Sequence, residues 1–481
     1  SLMARGVTSD DVVMHALLNS AEFVFTYIAT HKIGCVNAPL NYRLSGGEIA
    51  LLIDQSKPKA LIYDAEFEKI ISEALRSVHH RPEIIIMADL NNEMDAPEGV
   101  ETYRDFVKDG SPENPVRKDK PSIYDETTRF FTSGTTNLPK AVPVNDINEV
   151  LSAHDVIMHF PLSPKDVTMN LTPWFHRGGL HSGGPCPTLY IGGTMVILRD
   201  FTPRLALQYV SLYHITFLIG APTVIDMLCR IQETNPRDIS SLHGIVLMGS
   251  PLDKEPCKRY MKVLTPNIFN GYGTTETFWN VFLRPYDLPD KAGYAGGACT
   301  DDDVRVVRVD TTKHVSPDEL VPMDKETVGE VVIFAPNKST FAYYDNPKTT
   351  EEKFHNGWLY TGDLATWDEH AYITIIGRKD DMIVSAGENI YPVQGDSILN
   401  EHPKVAESLV FGIPDPKRGS VIAALIRPSD PSLTEKEMKQ FCMNHPMLAP
   451  YKRPRIFRFV KELPHNATGK LLHKLPPDFK F

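Results

Sequence analysis

The stretch Phe130–Lys140, FFTSGTTNLPK, decides the fold class and indicates the kind of ligand. The stretch begins with two aromatic residues and a β-branched residue, Phe130, Phe131 and Thr132, which is typical of the end of a buried strand. Hydroxyl side chains and free backbone N–H groups donate hydrogen bonds to phosphate oxygens, Gly134 permits a positive φ, and Lys140 adds a positive charge. The pattern predicts a phosphate-binding loop, called the phosphate loop below, formed by Thr132, Ser133, Gly134, Thr135, Thr136 and Lys140.

This loop differs from the nucleotide-binding pattern GxxxxGK[ST]. Lys140 follows a proline, and no Ser or Thr comes directly after it to hold Mg²⁺. A polar surface turn between a strand and a helix explains the same composition. Taken alone, the loop leaves both interpretations open.

Five further motifs follow the phosphate loop along the chain. They are Thr172–His176 (TPWFH), Gly271–Glu276 (GYGTTE), Trp358–Asp363 (WLYTGD), Gly377–Asp381 (GRKDD) and Asn466–Lys470 (NATGK). With the phosphate loop they resemble, in the same order, the adenylate-forming superfamily of acyl- and aryl-CoA ligases, adenylation domains and firefly-type luciferases. The resemblance extends from about Gly6 to Lys470.

The resemblance implies an α/β fold with two domains. A large multi-layer N-terminal domain with a β-rich subdomain is expected over residues 1–379, followed by a small α+β C-terminal domain over 380–481 that rotates about a hinge. Apolar runs such as Gly244–Met248 predict strands of the large domain. Asn19, three residues before Glu22, predicts a capping box at the start of a helix over Ala21–Lys32.

Composition restricts the function further. The 481 residues exceed what one core usually holds, and the net charge of −11 argues against a nucleic-acid partner. Six cysteines lie without metal-ligand spacing, which suggests reduced thiols in the cytoplasm. We find neither a signal peptide nor an apolar run of about 18 residues, and therefore expect no transmembrane segment. Ser1 and Leu2 ahead of Met3 suggest an expression remnant and missing upstream family residues.

The resemblance assigns the nucleotide site residue by residue. Glu276 binds Mg²⁺, and Thr275 beside it donates to the α-phosphate. Tyr272 lies between Gly271 and Gly273 and stacks on adenine, and the opposite wall is formed by Gly249, Ser250 and Pro251. Asp363 and Arg378 hold the ribose hydroxyls, although an isolated Arg378 would equally fit a surface ion pair.

The remaining assignments concern the acid, the CoA and the moving domain. Lys470 bridges the reacting carboxylate and the α-phosphate, and Asp380 is the hinge. His176 lines the acyl pocket. Arg177 and His181, which follow it, are candidates for recognising a polar substituent, although an arginine is more often exposed at the surface. Ala386 and Gly387 lie beside the pantetheine channel, where the family more often has two glycines.

The sequence therefore predicts an AMP-forming carboxylate–CoA ligase whose partners are a small carboxylic acid, ATP and CoA. Phe278 and Trp279 are bulky enough to shorten the acyl pocket, which favours an aryl or a short-to-medium-chain acid. The alternatives are transfer to a carrier-protein thiol, luciferase-like oxidation and nucleotide binding without turnover. The acid and the oligomeric state stay open, and a homodimer is compatible with the sequence.

Overall fold

The structure, a computed structural model, describes residues 1–90, 94–117, 119–132, 139–310, 313–385, 388–415, 419–446, 448–465 and 471. The chain divides into two compact units. The first comprises Ser1–Asp303 with Ile333–Leu359, and the second comprises Val304–Val332 with Tyr360–Phe481.

A seven-stranded sheet occupies the N-terminal part of the first unit. Its strands are β1 (Val12–Ala16), β2 (Val36–Pro39), β3 (Ala60–Asp64), β4 (Ile84–Ala88), β5 (Glu101–Thr102), β6 (Glu126–Thr132) and β7 (Lys140–Asn145). They lie in the order β5-β4-β3-β1-β2-β6-β7, and all neighbours pair in parallel except β6 and β7. The helices of this part are α1 (Ala21–Ile33), α2 (Gly46–Ser56), α3 (Glu68–Ser77) and α4 (Tyr103–Lys108).

A second seven-stranded sheet follows in the same unit. Its strands are β8 (Val167–Asn170), β9 (Thr194–Met195), β10 (Phe217–Gly220), β11 (Gly244–Met248), β12 (Ile268–Thr274), β13 (Phe278–Leu283) and β14 (Gly297–Ala298), in the order β14-β13-β12-β11-β10-β8-β9. The pairs from β9 to β12 are parallel, and β13 and β14 are antiparallel additions. The helices are α5 (Asp146–His159), α6 (Arg177–His181), α7 (Pro185–Tyr190), α8 (Pro203–Tyr213), α9 (Pro222–Thr234) and α10 (Lys254–Val263).

The later part of the chain is richer in antiparallel strands. A five-stranded sheet contains β15 (Asp303–Val307), β16 (Gly329–Phe334), β17 (Phe354–His355), β18 (Trp358–Trp367) and β19 (Ile373–Arg378), and α11 (Pro347–Lys353) precedes β17. The strands β20 (Ile383–Ser385) and β21 (Glu388–Ile390) form a hairpin. A three-stranded sheet of β22 (Val405–Asp415), β23 (Gly419–Pro428) and β24 (Ile456–Phe459) packs with α12 (Pro392–Asn400) and α13 (Glu435–Asn444).

Parallel strands buried on both faces explain the continuous apolar runs in the sequence. Every residue of β1, β3, β4 and β11 is buried, because helices cover both sides of such sheets. The predicted α/β layers and the smaller α+β C-terminal part are confirmed, and β11 has the predicted bounds. In the described residues, no helix is long and apolar enough to cross a membrane.

Side-chain caps fix several helix starts, and one predicted cap is wrong. Ser45 and Glu48 form a capping box on α2. On α1 the cap is Ser20, whose hydroxyl accepts from the Phe23 N–H, rather than the predicted Asn19. The Asn19 side chain instead donates to the Thr172 carbonyl at 3.0 Å and accepts from the Trp174 N–H at 2.9 Å. Asn19 thus fixes the segment that leads to His176.

Candidate active site

The phosphate loop connects two antiparallel strands. Thr132 is the last residue of β6, Lys140 is the first of β7, and the two are direct partners in the sheet register. The loop therefore joins strand to strand, not strand to helix as the surface-turn interpretation assumed. Four of the predicted phosphate ligands lie outside the described residues: Ser133, Gly134, Thr135 and Thr136.

A single tyrosine connects the phosphate loop with the predicted metal ligand. The Lys140 Nζ lies 5.3 Å from the centre of the Tyr343 ring, within the range of a cation–π contact. The Tyr343 hydroxyl donates to Glu276 Oε1 at 2.5 Å. Tyr343 was not identified from the sequence, because it belongs to none of the six motifs. It brings together two motifs that lie far apart along the chain.

The hairpin between β12 and β13 carries Thr275 and Glu276 in its turn. A Cβ on Gly273 would lie 1.7 Å from the Phe278 carbonyl oxygen, so only glycine fits this close approach. Phe278 itself has a positive φ of 60°, a strained conformation for an aromatic residue. A β-bulge at Tyr272 and Gly273 shifts the register of the hairpin. Such local strain is common where a backbone positions functional groups.

The two predicted walls of the adenine site come from neighbouring strands. Met248, the last residue of β11, pairs with Gly271 of β12. Gly249 directly follows β11, whereas Tyr272 is the next residue of β12, so the segment that leaves the sheet at Gly249 starts beside the part of β12 that carries Tyr272. Gly249 adopts a φ of 87°, which turns the chain away from the sheet. Ligands of open parallel sheets bind at such carboxyl ends.

Arg177 and His181 are buried, and their side chains form hydrogen bonds with other groups of the protein. Arg177 is 2% exposed and donates to the Thr275 carbonyl at 2.8 Å and to the Lys338 carbonyl at 2.7 Å. His181 is fully buried and bonds the Glu149 carboxylate. The suggestion that Arg177 and His181 recognise a polar substituent of the acid is therefore wrong, because neither side chain is exposed to a ligand.

His176 immediately precedes α6 and is only partly exposed. Its ring packs on Phe175 with centroids 4.1 Å apart, and its Nε2 is buried with no partner among the described residues. Burial, assisted by the charge of Arg43, lowers the pKa of His176 to about 4. A neutral imidazole at physiological pH suits the wall of an acyl pocket, the role that the sequence predicts for it.

Glu149 is a buried carboxylate that the sequence did not reveal. It is 4% exposed and accepts hydrogen bonds from Tyr27 at 2.9 Å and Thr128 at 2.6 Å, besides His181. Burial would raise the Glu149 pKa, but the contacts with His181 and His31 hold it well below its usual range. Glu149 therefore ties α1, β6 and α6 together around one negative charge.

A second buried ionic cluster surrounds Lys338, which is 2% exposed. Its Nζ lies 2.8 Å from both Asp155 Oδ2 and Asp302 Oδ2 and donates to the Trp279 carbonyl at 2.5 Å. Burial raises the pKa of Asp302 to about 6, against the opposing charge of Lys338. The cluster fixes the backbone of Trp279, one of the two aromatic residues expected to shorten the acyl pocket.

Two groups of potential metal ligands also arise only in three dimensions. They are Glu149, His181 and Cys186 in one group and Asp155, His159 and Cys299 in the other. The Arg177 Nε donates to His181 at 3.3 Å, and Lys338 contacts Asp155. Because a protein cation already neutralises each group, neither group suits a metal ion.

The two predicted ribose ligands meet within the second unit. Asp363 of β18 and Arg378 of β19 are register partners, and Arg378 Nη1 donates to Asp363 Oδ1 at 2.8 Å. Lys379 donates to Glu330 Oε2 at 2.8 Å, and the following residue, Asp380, is exposed. Lys470, Ala386 and Gly387 lie outside the described residues.

The first unit offers one hard oxygen ligand where Mg²⁺ is expected. Mg²⁺ is typically bound by one or two carboxylates together with substrate phosphates. Glu276 supplies such a carboxylate, it is partly exposed in the hairpin turn, and one of its oxygens is oriented by Tyr343. The donor set therefore fits an ion that arrives with a nucleotide.

The sequence matches known families along most of its length. Residues 1–344 match the AMP-binding enzyme family, and residues 395–470 match the AMP-binding enzyme C-terminal domain. Feruloyl-CoA synthase from Amycolatopsis sp is 30% identical over 98% of this chain and 89% of its own length. The 4-chlorobenzoate–CoA ligase from Arthrobacter sp is 28% identical over 98% of this chain and 85% of its own length.

A solved structure agrees with these matches. The o-succinylbenzoate CoA synthetase from Bacillus subtilis, in complex with its acyl-adenylate intermediate, superimposes with a TM-score of 0.84. It is 28% identical, and the alignment covers all of this chain and 90% of that one. The predicted resemblance, reaction class and use of ATP, Mg²⁺ and CoA are confirmed. The chain belongs to the AMP-binding enzyme family, and within that family it is an AMP-forming carboxylate–CoA ligase.

Proposed function

We propose that this ligase activates an aryl or short-to-medium-chain carboxylic acid, and that the residues predicted from the sequence carry the reaction. The observation that carries the proposal is the contact of Tyr343 with both Lys140 and Glu276. Tyr343 contacts both Lys140, the cation of the proposed phosphate loop, and Glu276, the carboxylate proposed for Mg²⁺. That arrangement suits the triphosphate of ATP.

In the first step, a carboxylate oxygen of the acid attacks the α-phosphorus of ATP. A new oxygen–phosphorus bond forms, and the bond to pyrophosphate breaks. The phosphate loop, Thr132 to Thr136 with Lys140, holds the β- and γ-phosphates, and Thr275 donates to the α-phosphate. Glu276 would hold Mg²⁺, which when bound would neutralise phosphate charge. Lys470 offsets the repulsion between the carboxylate and the α-phosphate, an effect that is largest where water is excluded.

In the second step, the CoA sulfur attacks the acyl carbonyl of the adenylate and AMP leaves. The proposed hinge at Asp380, between a domain of residues 1–379 and one of 380–481, exchanges the groups that face the acyl-adenylate. Ala386 and Gly387 border the path of the pantetheine arm. Asp363 and Arg378 hold the ribose through both steps, and Gly249 to Pro251 and Tyr272 enclose the adenine.

The aromatic residues after Glu276 support a short acyl pocket. Phe278 and Trp279 are both 3% exposed and stack with centroids 5.1 Å apart. A Cβ on Gly271 would lie 3.0 Å from the Trp279 indole, so this indole fills the space beside Gly271. Feruloyl-CoA synthase and 4-chlorobenzoate–CoA ligase carry aromatic acids in their names. These observations favour an aryl acid over a long aliphatic chain.

The expected location and assembly belong to the same proposal. All six cysteines are free and buried, which supports a reducing compartment such as the cytoplasm. A homodimer is compatible with this function but is not required by it, because each residue proposed for the reaction belongs to this chain.

The first experiment measures pyrophosphate release from ATP across a panel of aryl and aliphatic acids, with and without CoA. We expect multiple turnovers only with CoA, acyl-CoA by mass spectrometry, and the highest kcat/KM with an aryl acid. A single-turnover burst that CoA does not change would contradict CoA as the acceptor. Nucleotide binding without pyrophosphate release from any acid would contradict the proposed turnover.

The second experiment separates the two half-reactions. Lys470→Ala should abolish acyl-AMP formation and largely spare CoA transfer to a supplied acyl-AMP. Lys474→Ala, a nearby charge change outside the motif, is the matched control and should alter neither step. Equal loss of both half-reactions in Lys470→Ala would contradict the assignment.

A further inference from the structure

Arg177 contacts neutral acceptors on four different parts of the first unit. Its Nη1 donates to the Thr275 carbonyl at 2.8 Å, and its Nη2 donates to the Lys338 carbonyl at 2.7 Å and to the Ser152 hydroxyl at 3.3 Å. Its Nε donates to His181 Nδ1 at 3.3 Å. None of these acceptors is a carboxylate. Arg177 is therefore not simply one member of an ion pair, because its hydrogen bonds go to neutral groups on several segments of the chain.

Because this guanidinium is buried, its hydrogen bonds and the charges near it decide how much its burial costs. Arg177 is 2% exposed, and burial lowers its pKa to about 10, which still leaves it charged at neutral pH. A buried charge is costly unless its hydrogen bonds are satisfied and other charges lie near. The negative charges of Glu149 and Glu276 supply that compensation. Loss of Arg177 alone would therefore leave the buried charge of Glu149 with less compensation, which is costly.

The acceptors of Arg177 include both segments that position Glu276. Thr275 immediately precedes Glu276 in the hairpin turn, and Arg177 holds its carbonyl. Lys338 begins the segment that reaches Tyr343, whose hydroxyl holds the Glu276 carboxylate. One guanidinium thus joins the backbone on one side of the metal ligand to the segment that orients its side chain.

We propose that Arg177 is a positioning residue for the Thr275–Glu276 turn, and that it sets the affinity of the enzyme for MgATP without contacting ATP. The inference rests on the proposed role of Glu276 as the Mg²⁺ ligand. A turn with a β-bulge and a strained Phe278 needs such a restraint, because strained conformations persist only when surrounding contacts fix them.

His181 and Glu149 keep Arg177 in place. His181 uses Nε2 for Glu149, which leaves Nδ1 to accept from Arg177. Glu149 also accepts from Thr128 of β6, the strand whose last residue enters the phosphate loop. The same network therefore connects the metal-binding turn with the base of the phosphate loop, two parts that bind one nucleotide.

The test compares Arg177→Met, Arg177→Lys and the control Ile71→Ala. Ile71 is fully buried in a core cluster around α3 whose members include none of the residues proposed for the reaction, so its truncation is expected to lower stability. Circular dichroism and the burst of acyl-AMP at saturating substrates give the folded and active fractions. We then measure KM for MgATP, the acid and CoA, and the Mg²⁺ concentration for half-maximal rate at fixed ATP.

We expect Arg177→Met to raise the KM for MgATP and the half-saturating Mg²⁺ concentration about tenfold or more, the loss typical of hydrogen bonds from a charged donor. The KM values for the acid and CoA should change less than about threefold. Arg177→Lys should recover part of the MgATP affinity, because an ammonium can reach one of the two carbonyls.

Two outcomes would overturn the proposal. One is an unchanged KM for MgATP with a raised KM for the acid, which would make Arg177 a substrate-recognition residue. Another is a loss of active fraction alone, as in Ile71→Ala, which would make its role purely structural. Glu276→Gln is measured in parallel, and normal Mg²⁺ dependence in this variant would refute the metal-ligand assignment itself, separately from Arg177.

Discussion

Replacement of Lys338 by methionine is the sharpest test of the buried electrostatics. The change keeps most of the side-chain volume and removes an ammonium that lies 2.8 Å from two carboxylates. The two carboxylates lose different shares of their compensating interactions when the ammonium is removed. Asp155 retains His159, whose Nε2 is 3.1 Å from its Oδ1, whereas Asp302 retains the neutral Asn280 amide at 2.9 Å. Asp302 therefore becomes the uncompensated charge.

Removal of one partner from a buried ion pair typically costs about 3–5 kcal/mol. The first unit contains roughly 330 residues, and unfolding entropy is about 2.1 cal/mol/K per residue, or about 0.7 kcal/mol/K for the unit. The expected fall in Tm is therefore about 4–7 °C. The Lys338→Met/Asp302→Asn double variant should regain at least half of this loss, and Lys338→Met/Asp155→Asn should regain less.

The assay is thermal unfolding followed by circular dichroism at pH 8 and pH 5. Burial already raises the pKa of Asp302 to about 6, so the folded state binds a proton more tightly than the unfolded state, and its stability increases as pH falls through this range. Without Lys338 this effect grows, so the Tm deficit of Lys338→Met should be smaller at pH 5. A deficit under 1 °C, or equal deficits at both pH values, would refute the reasoning.

Three other predictions follow from the site and from the buried core. Tyr343→Phe should lower kcat/KM for MgATP about tenfold, because it removes a hydrogen bond to a charged group, whereas Tyr344→Phe keeps its ring stacked on Arg129 and should change little. Asp363→Ala should raise the KM for ATP but leave that for 2′,3′-dideoxy-ATP unchanged, and equal effects would contradict ribose binding. Burial lowers the pKa of His15 to about 4, so the unfolded state takes up its proton first as pH falls, and stability drops below pH 6.5. Between pH 6.5 and 5 the wild type should lose about 2 kcal/mol more than His15→Leu, measured by urea unfolding.

The fold class and the local motifs could be predicted because each depends on residues that are consecutive in the sequence. Buried parallel strands need unbroken apolar runs, so β11 was found at Gly244–Met248. The backbone at Gly273 approaches the Phe278 carbonyl so closely that only glycine fits, and this requirement is seen directly in the sequence of the GYGTTE motif. The start of α1 at Ala21 was predicted, but its cap was placed one residue early, since Asn19 and Ser20 are both good caps and only the tertiary contact of Asn19 with the 172–174 segment decides between them.

The roles of Arg177, His181 and Tyr343 could not be obtained in this way. From the sequence, the arginine after His176 could face a polar substituent of the substrate or, as is more common for arginine, the solvent, and the structure instead buries it. Its burial follows from the packing of α6, and its acceptors come from Thr275 and Lys338, which are distant in the sequence.

The sequence by itself determined the family and the fold class, and it is the source of the proposed nucleotide-binding residues, because each motif combines its chemistry within a few consecutive positions. Only the tertiary structure decided how the buried charges of Glu149, Arg177 and Lys338 are compensated. The physical reason is that the cost of a charge depends on its burial and on its partners in space, and neither quantity is encoded by neighbours along the chain.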